Sequence, residues 1–497
     1  MSACASEPTP AVAYDPGALA FDGDAAYARL GRFVADFPDR DSGQANNARA
    51  ADFIDAELRA RGLECARDRW SVVNFSRELA LGDVICRLPG ASPREIVLVA
   101  HHDQSPETIE GADNDGSGIA ILLGLADVFS REASAGGPRP FTLVFLAADG
   151  EEWGMLGSRR YVQTHPDPQR IVAAISLDNL GKRFYDGLIV EPTGQFRGYA
   201  PTWLVATAEA ATAAGAAAGA WAIDPRPPLQ QVLDQAVPIS FMDQGPFVGA
   251  GVPAIGLAGR VPGEHMEIHW QTYHSPGDTM EQQSAASLGR AGRGAEAIVR
   301  QLEGMGEAGV DAARAAAGAG PYLRDAATGE VLRGAGLWAI FAAIVGLFAV
   351  GSARAAGGLS RVGVAWRSAL PHALGLGLPL LLSVGLLYAL VAAGLMLDFH
   401  LYPATNKDPE LFHPRWPAVF AYVGGLALML FGGRRLAARL QARGGGPPSF
   451  AARKSVALGL VAAAALYVAA INPFSLLFLV PALAWLGVRG RAGALGR

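Results

Sequence analysis

The chain is short of cysteine. Three in 497 residues, Cys4, Cys65 and Cys86, are too few and too scattered for a disulfide framework or a thiolate metal site. Free buried thiols are the expectation, with a single Cys65–Cys86 bridge as the alternative. Acidic residues are nearly missing from the last third. From Gly334 onward there are 14 Lys+Arg and 3 Asp+Glu, which leaves 27 basic and 43 acidic residues for positions 1–333. The first part therefore carries a net charge of −16 and the second +11. An acidic first part lacks the basic face that phosphate backbones require, which excludes nucleic acid as a partner. The stretch Met1–Gly23 has no apolar run of the kind a signal peptide needs. Met1-Ser2-Ala3-Cys4 does resemble the end of a bacterial lipoprotein cleavage box, whose apolar stretch would lie upstream.

Long uncharged runs are present, and they fall after Gly334. Gly334–Ser352, the thirty residues between Arg367 and Asp398, Trp416–Gly433 and Ser455–Val488 all reach or approach the ~20 residues of a membrane span. The last run is broken by Asn472-Pro473, which suits two short helices turning there. The expectation is an all-α transmembrane domain over 334–497 with about five helices in a lipid bilayer. Arg354, Arg361 and Arg367, the cluster Arg434–Lys454, and Arg489, Arg491 and Arg497 would then face the cytoplasm. That leaves the N-terminal part on the extracytoplasmic side. Four spans would put the basic tail outside. His372 is one of few ionisable groups in the runs, so transport has little motivation.

Residues 1–305 read as a separate domain, with 306–333 as a linker. Helical periodicity marks Asp24–Phe37 and Asn47–Gly62. Apolar runs at 95–100, 141–148, 173–177 and 253–257 alternate with helices at 117–129, 153–164 and 202–218. This is the pattern of an α/β three-layer sandwich with a mostly parallel sheet, whose ligands gather beyond the carboxyl ends of the strands.

Polar clusters follow those strands. His101-His102-Asp103 comes after the first, Asp149-Gly150-Glu151-Glu152 after the second and Asp178-Asn179 after the third; His274 and Asp278 come later. Imidazole and carboxylate groups arriving from several strand ends suit Zn²⁺, which takes nitrogen and oxygen donors. A lone His or a Glu-Glu pair is ordinarily structural or solvated; four fragments in this placement are not.

Together V-L-V-A-H-H-D, G-A-D-N-D-G-S-G-I-A-I-L-L, F-L-A-A-D-G-E-E-W-G-M-L-G-S, I-S-L-D-N, M-D-Q-G-P-F and Y-H-S-P-G-D-T resemble the zinc aminopeptidases of the bacterial leucyl aminopeptidase and aminopeptidase Y type, a family that includes glutaminyl cyclases. The resemblance covers roughly Ala50–Leu288. It implies a metallopeptidase acting on peptides, with His101 and Asp178 on one zinc, Glu152 and His274 on the other, and Glu151 as general base. Asp103 would orient His101, Asp278 would give structural support, and Asp243 and Gln244 are candidates for substrate contact. Two zinc ions are expected, with one possible, because the bridging aspartate of the family falls on Asn114; Asp113 and Asp115 flank it. Mono-zinc acyl transfer of the glutaminyl cyclase kind and a non-catalytic receptor or scaffold are the alternatives. Oligomeric state and side-chain preference are not legible.

Overall fold

The computed structural model of the chain describes residues 4–6, 10–74, 77–318, 320–334, 336–343, 345–346, 350, 366–393, 395, 416–443 and 450–479. Two compact units divide in sequence at Arg333/Gly334. In the first unit the strands, in chain order, are β1 (Cys4–Ser6), β2 (Glu64–Asn74), β3 (Arg77–Leu88), β4 (Gly90–His101), β5 (Arg139–Ala148), β6 (Ile171–Leu177), β7 (Leu188–Glu191), β8 (Ile223–Asp224), β9 (Ala254–Gly259), β10 (Tyr322–Arg324) and β11 (Glu330–Arg333). Eight of them form one sheet in the order β2-β3-β5-β4-β6-β9-β7-β8. Its centre, β5-β4-β6-β9, is parallel. The β2–β3 hairpin and the β3–β5 and β7–β9 pairings are antiparallel and β7–β8 is parallel, so the sheet is mixed, with four of its seven pairings parallel.

The apolar runs are continuous because both faces of the central strands are covered. Ile96, Leu98 and Ala100 of β4 face a core shared with the helices α1 (Gly23–Asp36), α2 (Ala45–Ala60), α3 (Gly118–Gly136), α5 (Thr202–Gly215) and α9 (Ala285–Ala317). Val97 and Val99 face a second core with α4 (Leu156–Thr164) and α7 (Gln244–Gly249). The remaining helices of the unit are α6 (Pro228–Ala236) and α8 (Met266–Thr272). This alternation sends successive side chains to opposite faces. Each fully buried Val, Leu or Ile contributes roughly 1.5–3 kcal/mol.

Residues 306–333, expected as a linker, hold the second part of α9, kinked at Gly306, and then β10 and β11. With β1 these strands make a three-stranded sheet in the order β1-β11-β10. Helix α9 begins at Ser284, whose hydroxyl accepts the N–H groups of Ala286 (3.2 Å) and Ser287 (3.4 Å). Ser284→Ala leaves both donors without that acceptor and is expected to cost about 1 kcal/mol. A fall of about 2–4 °C in the thermal midpoint checks it.

Cys65 and Cys86 are joined, which replaces the expected free thiols. They are directly opposed partners on β2 and β3, with Cα atoms 4.0 Å apart. Antiparallel pairing brings them together across 21 residues of sequence.

After Gly334 the described residues form helices over Trp366–Ala392, Trp416–Arg443 and Phe450–Ile471. Only Trp416–Leu440 is long and apolar enough among them to cross a membrane. Gly377–Leu390 and Gly459–Ile471 are apolar but shorter. Of the five or so spans expected, one meets both criteria among the described residues. The third helix does stop at the Asn-Pro step, where Asn472 Oδ1 accepts the Phe474 N–H at 3.1 Å. The segments 351–365 and 396–415, part of the run at 334–352, and the residues after 479 lie outside the described residues.

Candidate metal centre

Because β5, β4 and β6 are parallel neighbours, their carboxyl ends deliver His101, the Asp149–Glu152 turn and Asp178 to one edge of the sheet. His101 is the last residue of β4. The register is locked beside it, where the His102 N–H donates to Ala148 O at 3.0 Å. The turn Ala112–Ser117 closes over this edge before α3 starts. Its glycines allow close approach: a Cβ on Gly118 would collide with the Leu177 carbonyl and the Asp115 carboxylate.

All the residues expected at the metals converge. His101 Nε2 stands 3.9 Å from Asp178 Oδ1 and 3.9 Å from Glu151 Oε2. His274 Nε2 is 3.1 Å from Glu152 Oε1. Asn114 lies between the two groups: its Oδ1 is 2.9 Å from His101 Nε2, and its Nδ2 is 2.7 Å from Glu152 Oε1 and 2.8 Å from His274 Nε2. The side chain of 114, and not that of either neighbour, thus occupies the bridging place. Asp113 turns away, accepting from Gly181 N–H (2.8 Å) and the Tyr185 hydroxyl (2.6 Å). Asp115 accepts from Gly118 N–H (2.8 Å) and His101 N–H (3.2 Å).

Supporting groups hold this arrangement. Asp103 lies 3.3 Å from His101 Nδ1 and accepts the backbone N–H groups of Glu151 (3.1 Å) and Glu152 (3.2 Å). One carboxylate therefore holds the His101 imidazole and fixes the turn that carries Glu151 and Glu152. Asp278 does not touch His274; it accepts the N–H groups of Asp113 (2.9 Å) and Asn114 (3.0 Å), clamping the bridging turn. His274 sits in left-handed backbone at φ 49°, as does Asn179 at φ 54°, conformations a non-glycine residue adopts at a cost. Tyr273 stacks on the His274 ring at 3.8 Å.

Gln244 is not at the opening; its Nε2 donates to Ser240 Oγ at 2.9 Å and Thr193 O at 3.4 Å. Asp243 is buried behind the site, and burial pushes its carboxyl up to about 7. The opening is lined by Glu151, Glu152, Met155, Phe241, Tyr273 and His274.

Sequence reasoning passed over several supports. Arg40 is wholly buried and donates to the carbonyls of Phe37, His102, Glu110 and Gly111, which secures the loop after His101. Burial lowers its guanidinium to about 10. Asn47 and Ser42 donate to Asp149. Their only signal is polar residues spaced among the buried positions of α2 and the loop before it.

Electrostatically the centre is short of positive charge. Among the described residues no lysine or arginine pairs with Glu151, Glu152, Asp178 or Asp243. Burial drives the Glu151 carboxyl well above the ordinary range; His101 opposes that shift, and Glu152 and Asp178 add to it. Burial resists charging His101, but Asp103 and Asp178 outweigh it and raise its pKa. Buried carboxylates are stable only when neutralised, paired or bound to metal.

Beneath the site, Asp83 of β3 accepts the Asp149 N–H at 2.9 Å, while its second oxygen has no partner. Burial raises its pKa well above the usual value. The fold thus prefers the neutral form, and stability is lost as pH rises above the unfolded value of about 3.9 toward the folded one. Asp83→Asn keeps the acceptor and removes the titration. Thermal unfolding should show a higher midpoint than wild type at pH 8 and a difference that closes near pH 4.

The family model of peptidase family M28 matches residues 83–299, the segment that supplies every group in this centre except the supports Arg40, Ser42 and Asn47. That segment, less than half of the chain, is what is similar to peptidase family M28. Leucine aminopeptidase 1 of Aspergillus oryzae is 33% identical over 112 residues, 21% of this chain and 29% of the relative. The match thus spans about three tenths of that curated relative's length. Among solved structures, a zinc aminopeptidase from Bacillus subtilis superposes with a TM-score of 0.47 at 16% identity, over 56% of this chain and 95% of its own. A glutaminyl cyclase from Porphyromonas gingivalis does so with a TM-score of 0.46 at 20% identity, over 57% of this chain and 100% of its own.

Proposed function

We propose that the chain is a zinc-dependent aminopeptidase that removes N-terminal residues from peptides, with Glu151 as general base. The observation that carries this is the pairing of Glu151 with the donor set His101, Asp178, Glu152 and His274 in one buried, cation-poor centre. Those imidazole and carboxylate donors fit zinc. Bound there, zinc would polarise the scissile carbonyl and acidify a water molecule. Glu151 takes the proton from the attacking water and returns it to the departing amine. Asp103 keeps base and imidazole in register through the contacts given above. The name of the Aspergillus oryzae relative supports the aminopeptidase assignment over other peptidases.

The same reading places the chain in a membrane through several of the helices after Gly334, with the peptidase unit on the extracytoplasmic side. The helix at Trp416–Leu440 and the basic loops of the sequence support this. So does the Cys65–Cys86 bridge, since such bonds persist in oxidising compartments.

Incubating the full chain in detergent with zinc and a panel of aminoacyl reporter substrates tests the activity. Cleavage of free-amine substrates, with N-acetylated counterparts left intact, is the expected result. A zinc-loaded chain inactive on every peptide, or one that only cyclises N-terminal glutaminyl peptides, overturns it.

A further inference from the structure

We infer that this chain holds one zinc ion, on the side of the centre formed by His101, Asp178 and Asn114 Oδ1, and that Glu152 and His274 stay a pair closed by the Asn114 amide. This inference rests on the zinc-hydrolase reading above and concerns only how many ions the site takes and where.

A carboxylate between two groups of ligands can offer one oxygen to each. A carboxamide cannot: it has one acceptor oxygen and one NH₂ group with no lone pair to give a metal. The orientation of Asn114 follows from its neighbours. Glu152 is an acceptor, so the NH₂ must face it; the reverse orientation would set two oxygens against each other. The distances agree, with Nδ2 at 2.7 Å from Glu152 Oε1 and Oδ1 at 2.9 Å from His101 Nε2. The amide thus adds an oxygen donor beside His101 and Asp178, and adds none beside Glu152 and His274.

No neighbour makes good the loss. Both oxygens of Asp113 are engaged by Gly181 and Tyr185, with Lys182 Nζ 3.7 Å away. Asp115 stands on the His101 side, in a group with His101 and Asp178 whose ligand atoms lie within 4.8 Å of one another. Asp278 holds the N–H groups of both 113 and 114, so the turn is not free to slide a carboxylate across. Glu151 and Glu152 also group with His101, but the Asn114 amide donates to Glu152 Oε1 at 2.7 Å and so competes with a metal for that carboxylate. His274 joins no such group among the described residues. Charge points the same way: replacing a bridging anion with a neutral amide removes what would offset the repulsion between two adjacent dications.

Metal content decides the matter. The full chain, purified in detergent, is equilibrated with excess zinc, desalted and measured by elemental analysis, with circular dichroism to confirm folding. One zinc per chain is expected, rising to two in Asn114→Asp. Glu152→Gln should leave zinc affinity within about threefold of wild type, whereas Asp178→Asn should weaken it by about 10- to 100-fold or more. If Asn114→Asp does not fold, the Glu152→Gln and Asp178→Asn pair still locates the ion. Two zincs in the wild type, or an ion lost in Glu152→Gln and kept in Asp178→Asn, overturns the inference while leaving the peptidase reading intact. A chain that binds no zinc overturns both.

Discussion

Glu151→Gln is expected to lower kcat on aminoacyl substrates by about 10²- to 10⁴-fold, the usual contribution of a positioned general base. The change removes a proton acceptor and almost nothing else. Glutamine has nearly the same shape, and the backbone N–H of residue 151 still donates to Asp103. Neighbouring Glu152, whose own N–H is also held by Asp103, keeps its place opposite His274. Zinc content and KM should therefore stay near wild type, and the loss should fall on kcat. Parallel measurement of kcat, KM and bound metal checks this. A variant that loses zinc along with activity would mean that residue 151 is a ligand. A variant with undiminished kcat would end its assignment as the base.

Removing the metal should have a comparably large effect and a second, independent signature. Chelation is expected to reduce hydrolysis by at least about 10³-fold, since water attack then loses its activation. It should also destabilise the fold. The centre confines Glu151, Glu152, Asp178 and Asp243 without a lysine or arginine paired to any of them among the described residues. Zinc at a thousand times its Kd would stabilise the folded chain by about 4.1 kcal/mol through mass action alone. Chelator should thus lower the thermal midpoint and stoichiometric zinc should restore it, along with activity. A midpoint indifferent to chelator would put the ion elsewhere.

The centre was largely legible in sequence because its parts sit where backbone periodicity changes. The apolar runs ending at Ala100, Ala148 and Leu177 are continuous since the central strands are covered on both faces, and each hands over directly to a polar cluster. What escaped was set by pairing across space. Strand β2 strings charged residues together at Arg67-Asp68-Arg69 and offers no long continuous apolar run. The Cys65–Cys86 link depends on its register, which spacing alone does not carry. Which of Asp113, Asn114 and Asp115 faces the centre was likewise undetermined, because adjacent residues differ only in backbone direction. Asp278, the Tyr185 hydroxyl and the Gly118 N–H settle that direction from distant parts of the chain. The direction of the Gln244 amide, inward to Ser240 and Thr193, is set in the same way by other parts of the chain.

The small sheet β1-β11-β10 determines how mechanical load enters the first unit. Strand β11 ends at Arg333, immediately ahead of the helices, and is gripped on both flanks, by Cys4–Ser6 and by Tyr322–Arg324. Tension arriving along the chain from that direction meets this clasp first. The groups at the rim of the eight-stranded sheet lie behind that clasp along the chain, and Tyr322 and Arg324 carry its load on to Ala200 and Glu209.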